Sequence, residues 1–209
     1  MAGHASPNHP PFHKDRVRLT AAVVFALAMV GFTVYAGQIG NAEFLFYAGT
    51  MAVMAGAVVA IDRAVRFSAL VIGGLLAWAL LHLAGGNVPI GGPAGEAGVL
   101  YNFRPAPWLP KYDQAVHAFG FAVATLLSWE CLRHGLARQM DHAPKPTFGL
   151  AAACVFMGMG LGALNEVIEF VAVLTMPETN VGGYVNTGWD LVSNLVGAVA
   201  AGVWIRLRG

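Results

Sequence analysis

Six stretches of about 20 mostly apolar residues recur along the chain, each bounded by polar or Gly/Pro-rich segments, and about 20 residues is what an α-helix needs to cross the roughly 30 Å hydrocarbon core of a bilayer. They cover residues 17–36, 43–61, 65–84, 113–132, 148–174 and 189–207, with Asn41 positioned to cap the second. The pattern predicts an all-α fold, a polytopic bundle of six transmembrane helices. Residues 1–16 read as a polar arm, and 17–209 as a single transmembrane domain with a long connection at 85–112. The first run is as long as a bilayer core, whereas a signal peptide has a shorter apolar region and a small-residue cleavage site, so it is expected to be retained as a span. Internal repeats and a soluble domain are not expected.

Composition strengthens this reading. Hydrophobic residues make up 57% and charged residues 11%, against roughly 25% charged in a soluble domain that must clothe itself in polar groups. A formal net charge of +1, with no dense basic run, excludes nucleic acid as a partner; membrane lipids are the expected surroundings. The 26 glycines suit close helix packing, and Gly73, Gly74, Gly158, Gly160, Gly162 and Gly197 with Ala201 are all expected at helix contacts. Cys131 and Cys154 fall inside predicted spans without metal-like spacing and read as small core residues.

Charge asymmetry then orients the spans. Ten of the twelve Lys and Arg residues fall on the N-terminal arm, the connections after the second and fourth spans, and the C-terminus; Arg104 and Lys111 alone fall on the other side. Because basic residues are retained in the cytoplasm, both termini are expected inside, and the 85–112 connection outside.

That orientation gathers the ionisable residues of the spans, which cost about 2.5–3.5 kcal/mol each in hydrocarbon on insertion scales and so mark functional sites by default. His82, Asp113, His117, Glu166, Glu169, Asp190 and Asn194 all fall at a similar depth in the outer half. Asp113 with His117, Glu166 with Glu169, and Asp190 with Asn194 have the three- or four-residue spacing that puts both on one helical face. Four helices offering polar faces at one level imply a single buried site. As an alternative, Asp113 and Asp190 lie near helix N-termini, where a carboxylate offsets the dipole. Glu130 lies near the inner end with Arg133 three residues on, and an ion pair between them is expected.

Two imidazoles with several carboxylates form a ligand set for a divalent metal such as Zn, Mn or Fe, with His82, His117, Glu169 and Asp190 as ligands. No H-E-x-x-H or Glu-x-x-His pair accompanies them, and no H-x-x-x-H pair falls within the spans. Without a metal, His117 oriented by Asp113, with Glu166, Glu169 and Asp190, can act as a general acid and base or a proton relay. Ser193 points about 100° away from Asn194, so a Ser–His–Asp hydrolase is not supported. Tyr101, Arg104 and Trp108 in the Pro-rich outer connection read either as a lid, with Arg104 and Asn194 contacting substrate, or as an interfacial anchor. His4, His9 and His13 read as part of a disordered arm.

The run Tyr112-Asp113-Gln114-Ala115-Val116-His117-Ala118-Phe119-Gly120 resembles the Asp-x-x-x-His-x-x-x-aromatic signature of VanZ-like membrane proteins. Residues 165–170, Asn165-Glu166-Val167-Ile168-Glu169-Phe170, and the run Trp189-Asp190 through Asn194 to Gly197 are similar to their later acidic and Asp-x-x-x-Asn-x-x-Gly segments. The paired glutamates, Trp189 and the extra N-terminal spans are closer to the related YjdF-type (DUF2238-like) bacterial membrane proteins. The resemblance covers about the last half of the chain and implies a multi-pass protein of the bacterial inner membrane. It places Asp113, His117, Glu166, Glu169, Asp190 and Asn194 at motif positions; His82 comes from depth alone. Three functional classes are therefore carried forward. The first is an enzyme or binding protein acting on an outer-leaflet lipid or envelope precursor; the others are an accessory subunit alongside other membrane subunits, and a proton-coupled transporter.

Overall fold

The computed structural model describes residues 11–91, 97–140, 142–177 and 179–208. Six helices account for almost all of them: α1 Pro11–Gln38, α2 Ala42–Val65, α3 Ala69–Asn87, α4 Tyr112–Ala137, α5 Phe148–Thr175 and α6 Tyr184–Arg208. Each is long and apolar enough to cross a membrane. Residues 1–10 of the polar arm, with His4 and His9, lie outside the described residues, and residues 11–16, expected as arm, belong to α1.

Local chemistry sets where these helices start and stop. Gly40, with φ +70, turns the chain after α1, and the Asn41 side chain accepts from Phe44 N–H at 2.9 Å to cap α2. Arg66 adopts the left-handed conformation (φ 59) and closes α2 by donating its N–H to Asp62 O at 2.8 Å. Ser68 and Thr147 cap α3 and α5 by accepting from Val71 and Leu150. The third span therefore starts at residue 69, four residues later than the apolar run suggests.

The connection between α3 and α4 is more structured than its Gly/Pro content predicts. Strands β1 Pro89–Gly91 and β2 Ala97–Val99 pair antiparallel, with Ile90 opposite Gly98. A 3₁₀ turn, Leu100–Asn102, then carries Tyr101 inward, where its hydroxyl donates to His82 O at 2.8 Å. Tyr101 lies so close to Gly85 that a Cβ there would overlap its ring. Burial pushes the Tyr101 phenol well above its usual range, so it stays a neutral donor.

Helix α4 is the centre of the bundle, packing against α3, α5 and most extensively α6. Small residues permit this, since lipid supplies no hydrophobic force between helices. A Cβ on Gly197 would overlap Ala118 O of α4, and one on Gly158 would overlap the Thr125 side chain. Gly120 accommodates Trp78, Gly162 accommodates Asn194, and Gly74 faces Val123. Gly73 and Gly160 are not contact positions: a Cβ at either meets nothing within 4 Å. Helix residues turn about 100° each, so Gly73, next to Gly74, and Gly160, two residues from both Gly158 and Gly162, fall on other faces. Leu27, Val53, Phe156, Leu164 and Val196 are exposed on the outside of the bundle, as expected of side chains that face lipid. Cys154 is buried beside Ala151 and Ile205, Cys131 is half-buried, and both are free thiols.

One end of the bundle is tied by ionic contacts. Arg18 Nε meets Asp62 Oδ2 at 2.6 Å, and its Nη2 donates to Phe67 O at 2.7 Å. Arg66 pairs with Asp15 at 2.8 Å. Glu130 does not pair with Arg133 among the described residues; its Oε2 accepts the Ser68 N–H at 2.8 Å. The free amides at the start of α3 compete for that carboxylate more directly than a solvated guanidinium does.

Candidate functional site

At the opposite end of the bundle, α4, α5 and α6 each turn a polar face inward. Asp113 and His117 stand one turn apart in the first turns of α4, with His117 Nε2 3.5 Å from Asp113 Oδ1. Glu166 and Glu169 come from the last third of α5: Glu166 Oε1 is 3.6 Å from His117 Nδ1, and Glu169 Oε1 is 3.9 Å from Nε2. Asp190 and Asn194 come from α6 and are fully buried. Because α6 starts at Tyr184, Asp190 lies well inside the helix, and the dipole-offset reading for it does not hold.

Ligand atoms of Asp113, His117 and Asp190 lie within 4.8 Å of one another, and so do those of His117, Glu166 and Glu169. His117 belongs to both groups. Its Nδ1 is 3.1 Å from Asn194 Oδ1. A carboxamide oxygen can only accept, so a neutral imidazole here carries its proton on Nδ1 and its lone pair on Nε2. Every polar neighbour of the imidazole is therefore an acceptor, and the carboxylates stand too far from it for direct hydrogen bonds. Both oxygens of Glu166, Oδ1 of Asp190 and Nδ2 of Asn194 are buried without a partner among the described residues. Buried charges of one sign cost several kcal/mol unless a cation or protons neutralise them.

Two residues that the sequence reading passed over complete the site. Asn186 Nδ2 donates to Asp190 Oδ2 at 2.6 Å and reaches Asp113 Oδ2 at 3.5 Å. Lys111 Nζ donates to Asn186 Oδ1 at 3.2 Å, which sets a single ammonium at the rim. The signal was present: Asn186, Asp190 and Asn194 recur every four residues, a stripe that becomes visible once α6 is extended to Tyr184. Asn165 Nδ2 donates to Glu169 Oε1 at 2.8 Å.

Two expected members are not brought in. His82 joins neither ligand group; its ring packs against Tyr101 at 5.4 Å and Trp78 at 6.2 Å. Ring contacts continue through Trp78–Phe121 to Phe121–His117, so the two imidazoles are linked by aromatic packing and share no ligand position. Depth alone could not reveal that α3 turns His82 toward Tyr101. Arg104 is exposed and donates to Pro107 O at 3.1 Å within its own loop. The residue of that loop that enters the bundle is Tyr101.

Fold and site together define a multi-pass helical membrane protein with a buried histidine–carboxylate cluster shared by three helices. The chain belongs to the family described as "Predicted membrane protein (DUF2238)", whose match spans residues 17–209. No curated protein and no solved structure matches it.

Proposed function

We propose that the cluster is a divalent-metal and proton-transfer centre, with which this inner-membrane protein acts on the headgroup of an outer-leaflet amphiphile, a lipid or a cell-envelope precursor. One observation carries the reading: the Nε2 lone pair of His117 faces Asp113 and Glu169, at 3.5 and 3.9 Å, while Asn194 occupies Nδ1. A second hydrogen bond on the far nitrogen orients a metal-ligating histidine and raises its basicity. The nitrogen and carboxylate donors suit Zn, Mn or Fe, with Asp113 and Asp190 as the oxygen ligands of one group and Glu166 and Glu169 of the other. Such an ion would polarise a headgroup oxygen or acidify a bound water. In its absence a second proton on His117 gives the same cluster acid/base chemistry.

The excess of basic residues at the opposite end supports an outward-facing cluster with both termini cytoplasmic. Asp113 and Glu169 keep 17% and 15% of their side chains exposed while His117 keeps 3%, so a ligand would approach past those two carboxylates.

The test is elemental analysis and lipid mass spectrometry on the purified protein beside His117→Ala and Glu169→Ala. A stoichiometric metal or a retained amphiphile, lost in both variants, supports the proposal. If the wild type carries neither and both variants only melt earlier, the cluster serves helix packing. Copurification with a large complex under those conditions would identify an accessory subunit.

A further inference from the structure

At the end of the bundle far from His117, a cavity of about 370 Å³ opens between α3, α4, α6 and the α4–α5 connection. That is the lower range of small-ligand sites. Arg133, Lys145 and Arg208 line it, with Trp129 and Trp204, and Glu130 is the one acidic residue among them. One oxygen of Glu130 is already engaged by Ser68 N–H. Arg133 and Lys145 have no ion-pair partner among the described residues, and the Arg208 guanidinium lies over the Trp204 ring at 4.1 Å. Three cations thus face one carboxylate around a concave space. Leu70, Val71 and Leu126 form its apolar wall.

We infer that this cavity binds the phosphate of an anionic phospholipid in the leaflet at the basic end of the bundle. Guanidinium groups match phosphate oxygens with paired donors, and an ammonium adds a point charge. Tryptophans favour the headgroup level, and the apolar wall suits the start of an acyl chain. A lipid phosphate meets all three features, whereas a soluble phosphate leaves the apolar wall unused. Basic pockets between transmembrane helices on the cytoplasmic side recognise anionic headgroups by this chemistry. The inference is independent of the His117 cluster.

The experiment is native mass spectrometry of the full chain in detergent. It is titrated with phosphatidylglycerol, with phosphatidylcholine of the same acyl chains, and with glycerol phosphate as the free headgroup. Phosphatidylglycerol is expected to bind in preference to phosphatidylcholine, and Arg133→Gln and Lys145→Gln each to weaken it by about fivefold. Both side chains are exposed, so folding is not at stake. Glu130→Gln keeps an acceptor for Ser68 N–H while removing the opposing charge, and should tighten binding. Equal binding of the two lipids, or variants indistinguishable from wild type, overturns the inference. Binding of glycerol phosphate without phosphatidylglycerol overturns the lipid and reassigns the cavity to a soluble phosphate.

Discussion

Asn194 of α6 and His117 of α4, 77 residues apart, meet with Oδ1 3.1 Å from Nδ1, and this contact leaves Nε2 to face Asp113 and Glu169. The amide nitrogen of Asn194 lies against Gly162 of α5, so three helices hold the pair. Asn194→Leu removes the acceptor and leaves His117 Nδ1 without its partner. The expected loss is about 1 kcal/mol of stability, as for interhelical hydrogen bonds in membranes, together with any metal the wild type carries. Thermal melting and elemental analysis of the same sample check both, and a variant that keeps full metal content would remove Asn194 from the site.

Asn186 bridges Asp190 and Asp113 and is itself held by Lys111. Outer partners of this kind typically tune metal affinity by about 10–100-fold. Asn186→Leu should weaken metal binding by that factor, measured by chelator competition, and lower stability by about 1–3 kcal/mol because Asp190 Oδ2 loses its donor. Unchanged affinity would mean that Asn186 only joins α6 to the start of α4.

Gly197 and Gly160 make opposite predictions. Gly197→Ala drives a methyl into Ala118 O, a backbone atom that can move only if α4 and α6 separate; overpacking of this kind costs about 1–3 kcal/mol. Gly160→Ala meets nothing within 4 Å and gains helix propensity, by up to about 1 kcal/mol. Melting curves in one detergent should place the two variants on opposite sides of wild type.

Arg18 and Asp62 tie α1 to the end of α2, and Asp62 Oδ1 also accepts Phe67 N–H at 2.7 Å. Side-chain exposures of 16% and 13% make the pair largely buried. Asp62→Ala should cost about 1.5–3 kcal/mol, because it removes the charged acceptor shared by Arg18 and the Phe67 N–H, while Arg18 keeps its bond to Phe67 O. Arg18→Ala with Asp62→Ala should cost less than the two singly. A double-mutant cycle on unfolding measures the coupling, and additive losses would show that the ions act separately.

Tyr101→Phe deletes the hydroxyl that donates to His82 O and leaves that carbonyl a partner short. The expected cost is about 1 kcal/mol, with faster amide exchange in the hairpin between α3 and α4. Exchange at wild-type rates would show that the ring, packed on Gly85, anchors the loop by itself.

The amino-acid sequence by itself determined the class and much of the site. Six apolar runs of bilayer length required six helices, because a buried backbone in lipid must satisfy its own hydrogen bonds. Helical spacing paired Asp113 with His117, Glu166 with Glu169 and Asp190 with Asn194. Those are local properties, readable from period and length. Tertiary structure decided what each face meets. It turned His82 toward Tyr101, sent Glu130 to the Ser68 N–H in place of Arg133, kept Arg104 within its loop, and brought in Asn186 and Lys111. The physical reason is rotation about the helix axis. Depth follows from residue number at 1.5 Å per residue, but direction depends on which neighbour each glycine admits. Gly197 against Ala118 and Gly162 against Asn194 set the directions that put His117 at the centre of the cluster.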